Sequence, residues 1–522
     1  VNSDAKDLSA LVWSVADLLR SDYRQSEYGR VIEPFTLLRR LDLMLQPTKE
    51  EVLTRFGQLD AEGVADVDAV LRETTGLPFY NTSRLSFQSL AADPVNVARN
   101  LRYYLAGYSA LVADVLEAYD FDRQIRRLDE ARLLYPVVSR FAEFDLRPQA
   151  VSDHQMGAVF EELAYAFAET NYDAAGEHFT PRDVVRVMVD LLVPQDKDAG
   201  VRTVYDPACG IGGALLEAWR QIEISNPSAT VEAFGQELNA QTYAICRSNM
   251  LMKGDAADRI VHGNSLSQDG FPGATFDYLI SAPPFGLSWK NIQDVVKDEA
   301  FTLGSTGRFG AGLPRINDGS LLFLQHMVSK MKRPEDGGSR VGILLSGSPL
   351  DVGGAGSGES EIRRWILEND LLEGVIALPD QLLYNTGIAT YYWILANRKD
   401  SERRGRVVLL NARDGWQKMR RSRGDKRKVR LAGPDRCRHR DVPERGRHLT
   451  RPASSLVRPR AAAPQRGVRL PQGRHRPPAA NPVRADRGER PPPDHGSSIP
   501  ERLRPGDPGR IAGPVDRVLL GH

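Results

Sequence analysis

From residue 200 to residue 411 short apolar runs alternate with amphipathic helical stretches, and this alternation restricts the fold more than any single motif does. The runs are VRTVYDPACG, VEAFGQEL, DRIVHGNSL, FDYLISAPPFG, SRVGILLSGS, LEGVIALPD, ATYYWILANR and GRVVLLNA. Between most of them lie stretches such as GALLEAWRQIE, NAQTYAICRSNMLMKG and GSLLFLQHMVSKMK, with helical spacing of apolar residues. Strands apolar on both faces need cover on both faces, so the pattern predicts an α/β, doubly wound and mostly parallel sheet flanked by helices. In such sheets ligands sit beyond the carboxyl ends of the strands. The loops that follow strands are therefore where chemistry is expected.

Residues 1–150 carry a different rhythm. LSALVWSVADLLRSDYR, YGRVIEPFTLLRRLDLML and EARLLYPVVSRFAEFDL repeat their apolar residues at three and four spacings. They predict an all-α domain ahead of an α/β domain spanning 151–420. A packing bundle with no site of its own fits the same pattern.

Charge is unevenly divided. Residues 421–522 hold 25 Lys and Arg against 10 Asp and Glu, while the rest of the chain holds 44 basic and 58 acidic groups. An arginine-rich arm suits nucleic acid. This one has no Phe, Trp or Tyr and carries 16 of the chain's 33 prolines, so it cannot bury enough apolar surface to offset the entropy of ordering. Disorder is expected for 421–522. The Arg, Pro, Ala and Gly mixture is also what an out-of-frame reading of a GC-rich gene produces, and a frameshift origin is preferred over a selected DNA-binding arm.

Cys209, Cys246 and Cys437 are far apart and lack ligand-like spacing. Neither a disulfide framework nor a metal site is expected, and a reducing cytoplasm suits the composition. No apolar run approaches the roughly 20 residues that cross a bilayer, so no membrane association is expected.

The first strand of the α/β region ends in YDPACGIGGALLEA. Gly210, Gly212 and Gly213 let the backbone turn tightly before a helix whose first amides are free to meet a ligand. Asp206, before Pro207, either lines that ligand site or caps the turn. At the next strand end Glu237 can accept both hydroxyls of a ribose, the task of the acidic residue beyond a glycine loop in dinucleotide folds. One strand further, the Asn264 amide can read an adenine edge. Three strand ends thus describe a pocket for an adenosine-containing cofactor.

AGEHFTPRDVV, DPACGIGGALLEA, GQELNAQTYAICRSNMLMKG, GNSL, DYLISAPPFG, RFGAGLPRINDGSLLFLQHM and TGIATYYWIL follow one another as they do in adenine-N6 DNA methyltransferases. More narrowly, the chain resembles the modification subunit of a type I restriction-modification system, from the helical domain to about residue 428. The resemblance implies a class I methyltransferase fold and S-adenosyl-L-methionine as cofactor. Phe179, Thr180 and Pro181 then match the cofactor motif upstream of the sheet, although HFTPRD also reads as a helix start with Thr180 as N-cap and Pro181 at the first helical position. Asp206, Pro207 and the three glycines match the methionine-side loop, Glu237 the ribose acceptor and Asn264 the adenine reader. The implied partners are double-stranded DNA, a specificity subunit and a restriction subunit, with two modification subunits per specificity subunit.

The catalytic loop of such enzymes is Asn or Asp, Pro, Pro, Phe or Tyr. Its first residue and the first proline's carbonyl accept the hydrogens of the target amine, and the aromatic stacks on a base flipped out of the duplex. Here Pro283 would offer its carbonyl, Pro284 would follow it and Phe285 would stack, but the acceptor position is Ala282. Ser281 points to the opposite face of an extended segment and should not replace it. Comparable deletions cost about 3 kcal/mol, on the order of 100-fold in rate. Impaired catalysis with an intact cofactor pocket is therefore expected. After the loop, a long polar insertion carries Lys290, Arg308 and Arg315, which suit DNA phosphates or an ordinary solvated loop. Two alternatives stay open: a non-catalytic protein that binds S-adenosylmethionine and DNA, and a methyltransferase for protein glutamine or RNA.

Overall fold

A computed structural model describes residues 13–152, 155–157, 180–193, 200–254, 257–383, 387–418, 427–429 and 449–452. Its helical part contains α1 (Gly29–Leu45), α2 (Lys49–Ala61), α3 (Asp68–Thr75), α4 (Phe87–Ala91), α5 (Val97–Ala106), α6 (Ala110–Ala118), α7 (Phe121–Glu130) and α8 (Leu134–Ala142). Helix α1 is central: all its residues except Arg30 and Met44 are buried. Buried charges need partners. Arg39 donates to Asp42 at 3.1 Å and to the carbonyls of Phe144 and Ala142. Glu33, on the same helix, has no hydrogen-bond partner for either carboxyl oxygen among the described residues.

Helix α9 (Arg182–Leu192) opens the second half, and its N-cap is Pro181. The helix thus begins one residue later than the HFTPRD pattern suggests. The reason is the extended ψ of 146° at Pro181, whose carbonyl still accepts from Val184 and Val185.

All eight predicted runs form strands: β1 (Gly200–Asp206), β2 (Ala229–Glu237), β3 (Ile260–His262), β4 (Tyr278–Ser281), β5 (Arg340–Ser346), β6 (Leu372–Ala377), β7 (Thr390–Ala396) and β8 (Arg406–Asn411). They lie in the order β8-β6-β7-β5-β4-β1-β2-β3. Pairing is parallel except where β7 runs antiparallel between β5 and β6. Helices α10 (Gly213–Ser225) and α11 (Ala240–Lys253) follow β1 and β2, α12 (Gln293–Leu303) and α13 (Ser320–Ser329) lie between β4 and β5, and α14 (Gly358–Glu368) precedes β6. Helices α1 and α6 pack on α11, and the Tyr119 hydroxyl meets the Ser248 hydroxyl of α11 at 3.0 Å. One apolar cluster runs from Phe35 and Val115 through Ile245 to Val204.

One expectation needs correction. The insertion after β4 is not simply a polar loop: it contains α12 and is anchored by Trp289, Val296 and Phe309, all buried. Of residues 421–522 the described ones are Arg427–Val429, which pairs with Trp416–Lys418, and Leu449–Pro452, which pairs antiparallel with β8. An edge strand offers unpaired backbone groups to any extended neighbour. The remainder of 421–522 lies outside the described residues. Among the described residues no helix is long and apolar enough to cross a membrane.

Candidate cofactor and catalytic cleft

The carboxyl ends of β1, β2, β3 and β4 meet at an open cleft, about 740 Å³ with its solvent-filled mouth included, lined by Pro207, Ala208, Gly210, Glu237, Asn264, Ala282 and Pro284 among others. Four loops distant in sequence are brought together because parallel pairing in the order β4-β1-β2-β3 places all four carboxyl ends on one side.

The first loop is held by its backbone. Gly210 and Gly212 have φ of 53° and 84°, in the left-handed region that favours glycine. A Cβ on Gly212 would stand 2.8 Å from Cys246 Sγ, so the glycine is needed for space as well as conformation. Asp206 is 3% exposed and lies beneath the loop rather than on the cleft wall. Its carboxylate accepts from the Ala208 amide at 2.9 Å, the turn-capping arrangement. Burial raises its pKa to about 7, opposed by the Ala208 amide and by the Ser281 hydroxyl.

Glu237 stands on the wall, and both of its oxygens already hold backbone. One accepts from the Gly210 amide and the other from the Asn239 amide, each at 2.8 Å. The carboxylate therefore ties the glycine loop to the start of α11. Asn264 directs Oδ1 to the Leu266 amide at 3.0 Å, so its Nδ2 donor is the more available reading group. The Ser265 hydroxyl donates to the Pro207 carbonyl at 2.5 Å and joins the third loop to the first.

In the fourth loop Ala282 and Pro284 line the cleft, whereas Ser281 is fully buried and does not. The alternation of an extended segment accounts for this. Pro283 is buried. Phe285 is 8% exposed and packs in the main apolar cluster, off the cleft wall.

Phe179 lies outside the described residues. Thr180 and Pro181 precede α9, Gly213 begins α10, and none of the three is among the cleft-lining residues. Of the three basic residues in the insertion, Lys290 is exposed. Arg315 pairs with Asp318 at 3.3 Å and remains partly exposed. Arg308 is a correction: its guanidinium bonds to Glu299, to the Ser265 and Leu266 carbonyls and to His326 Nδ1. With all five N–H groups engaged internally, it has no donor left for phosphate.

Sequence reasoning missed Leu238, Thr242, Leu287 and Phe323, which also line the cleft. Leu238 follows Glu237 and is 58% exposed, so its position after a strand end was a usable signal. Phe323 comes from α13, and nothing local to it points to the cleft. Together these side chains offer apolar cover for a flat group between polar strand ends. Among the described residues no cluster of His, Cys, Asp and Glu suits a metal.

A model of the HsdM N-terminal domain matches residues 8–141, and the family described as N-6 DNA Methylase matches residues 151–431, more than half of the chain. Among curated proteins, the chain is 25% identical over 285 residues to the type I restriction enzyme MjaIX methylase subunit of Methanocaldococcus jannaschii, covering 54% of this chain and 48% of the relative. It is 29% identical over 267 residues to the HindI methylase subunit of Haemophilus influenzae, covering 50% and 55%. The chain thus spans about half the length of the curated relatives it matches. Among solved structures it is similar to the type I restriction-modification methyltransferase subunit from Streptococcus thermophilus, with TM-score 0.64, 25% identity and coverage of 81% and 90%. A modification subunit of a putative type I restriction enzyme from Vibrio vulnificus shares the fold, with TM-score 0.55, 19% identity and coverage of 81% and 86%.

Proposed function

The chain belongs to the N-6 DNA methylase family, and from that premise we propose that it is the modification subunit of a type I restriction-modification system, built to methylate N6 of adenine in DNA. The observation that carries the reading is the convergence of four strand-end loops, with Gly210, Glu237, Asn264 and the Ala282–Pro284 segment, on one cleft. The residues of the cleft suit S-adenosyl-L-methionine: a carboxylate stands on its wall, and Leu238, Leu287 and Phe323 offer apolar surface to a flat ring. When bound, that cofactor supplies an electrophilic methyl group on a sulfonium.

In this reading Glu237 accepts ribose hydroxyls, and Asn264 donates to the adenine edge. Thr180, Pro181 and Phe179 are assigned to the same cofactor by motif alone. The target adenine would be flipped from double-stranded DNA, with Lys290 and the exposed edge of Arg315 toward phosphate. A specificity subunit would choose the site. The helical 1–150 and α/β 151–420 portions would act as one modification module beside a restriction subunit.

Pro283 supplies one acceptor to the target amine, through its carbonyl. Ala282 supplies none, and Ser281 is buried away from the cleft. The amine would then be held by one acceptor instead of two, with its lone pair poorly aimed. The test is methyl transfer to a bipartite target by this chain and by Ala282→Asn, each with its specificity subunit. Asparagine should raise the rate on the order of 100-fold, with cofactor affinity unchanged by calorimetry. Equal rates would refute the role given to position 282. Tight cofactor and DNA binding without turnover in either protein would favour the non-catalytic reading.

A further inference from the structure

We propose that Arg308 is a positioning residue that holds the adenine-side wall of the cleft in place, an inference that rests on the cofactor reading above. Its side chain is 13% exposed and forms a bidentate pair with Glu299 of α12, whose carboxylate also accepts from the Arg308 backbone amide at 3.0 Å. The far end of the guanidinium donates to the Ser265 carbonyl at 2.7 Å and the Leu266 carbonyl at 3.1 Å. These two residues immediately follow Asn264, and the Leu266 amide is the one that orients the Asn264 side chain. One arginine from the insertion therefore grips both carbonyls of the turn that aims the proposed adenine reader.

The grip extends to α13 and the end of β1. Arg308 Nη1 meets His326 Nδ1 at 3.1 Å, and His326 Nε2 meets the Tyr205 hydroxyl at 2.9 Å. A guanidinium is always a donor, so Nδ1 must carry the lone pair and Nε2 the hydrogen that the Tyr205 oxygen accepts. Burial and then the adjacent Arg308 charge keep His326 neutral, well below its ordinary range. Tyr205 directly precedes Asp206, and the Ser265 hydroxyl is bonded to Pro207. The insertion, the Asn264 turn, α13 and the end of β1 are thus fastened at one guanidinium. Lysine cannot reproduce this, because it lacks the planar fork that serves two carbonyls, a carboxylate and an imidazole together.

The test is calorimetric binding of S-adenosylhomocysteine and S-inosylhomocysteine to the full chain, to Arg308→Lys and to Glu299→Gln, with thermal melts alongside. Arg308→Lys should weaken S-adenosylhomocysteine by roughly ten-fold or more, the equivalent of one or two charge-assisted hydrogen bonds. It should also narrow the preference for adenine over hypoxanthine, because the reader turn loses its brace. Glu299→Gln, which keeps the arginine but loosens its anchor, should move both readouts the same way by less, and decides the matter if the lysine variant does not fold. Lower melting temperatures with an unchanged ratio between the two ligands would overturn the inference in favour of a purely structural clamp. Unchanged cofactor binding with weakened DNA binding would overturn it in favour of a phosphate contact. A parent chain that binds neither ligand refutes the cofactor reading itself.

Discussion

Replacing Glu33 with glutamine should stabilise the protein, and by an amount that grows with pH. Glu33 lies on α1 against α11, 0% exposed, with no normal hydrogen bond to either oxygen among the described residues. Burial raises its pKa from 4.5 to about 8, and Gln241, which approaches without completing a bond of normal geometry, offsets only part of this. The folded value exceeds the unfolded one, so below the unfolded value the carboxyl is protonated in both states and the buried group adds no penalty. As pH rises only the unfolded chain releases its proton at first, and stability falls until the folded value is passed. At about 1.36 kcal/mol per pH unit, the interval corresponds to roughly 5 kcal/mol above pH 8 and about 3 kcal/mol at pH 7. Glutamine keeps the shape and has no proton to lose. Urea unfolding followed by far-UV circular dichroism, from about pH 5 to about pH 9, should give a falling profile for the parent and a flatter one for the variant. Slopes contributed by other groups cancel in the difference between the two. Parallel profiles would refute the argument, because they would mean that Glu33 has the same proton affinity folded and unfolded.

Three further outcomes are expected. Asp206→Asn keeps an oxygen for the Ala208 amide but removes a carboxyl whose pKa is raised to about 7, so it should flatten the loss of stability between about pH 4 and pH 7, measured in the same urea series. Gly212→Ala meets both a positive φ and Cys246 Sγ, and should cost about 2 to 4 kcal/mol; adding Cys246→Ala should recover the steric part of that loss and leave the conformational part. Tyr119→Phe removes the hydroxyl bonded to Ser248 across the contact between the helical part and α11, and thermal or urea melts should register a loss of about 1 kcal/mol.

Much of the architecture was legible because it is written in local period. Each of the eight apolar runs is a strand and the helical stretches between them are helices, since burial on one or both faces imposes its spacing on neighbouring residues. Glycines at Gly210 and Gly212 announced the tight turn for the same local reason. The insertion after β4 was harder: α12 is held there by Trp289, Val296 and Phe309, three apolar residues spread through a polar stretch with no strong period. Strand order was not legible either, because β7 turns back between β5 and β6 through contacts that no window of sequence contains.

Side-chain roles divide along the same line. From residues alone came the glycine turn, a carboxylate at the end of β2, an amide after β3 and an alanine after β4, because each is a matter of residue type at a strand end. Tertiary structure alone decided what those groups touch. Arg308, which had suited a phosphate, spends its donors on carbonyls some 42 and 43 residues away. Asp206 caps its own turn, Phe285 is packed in the main apolar cluster, and Glu33 is sealed against α11 with no normal hydrogen bond among the described residues. Charge and hydrogen-bonding capacity belong to the residue, but the partner that satisfies them, and the solvent that is excluded, depend on which distant segments the sheet brings together.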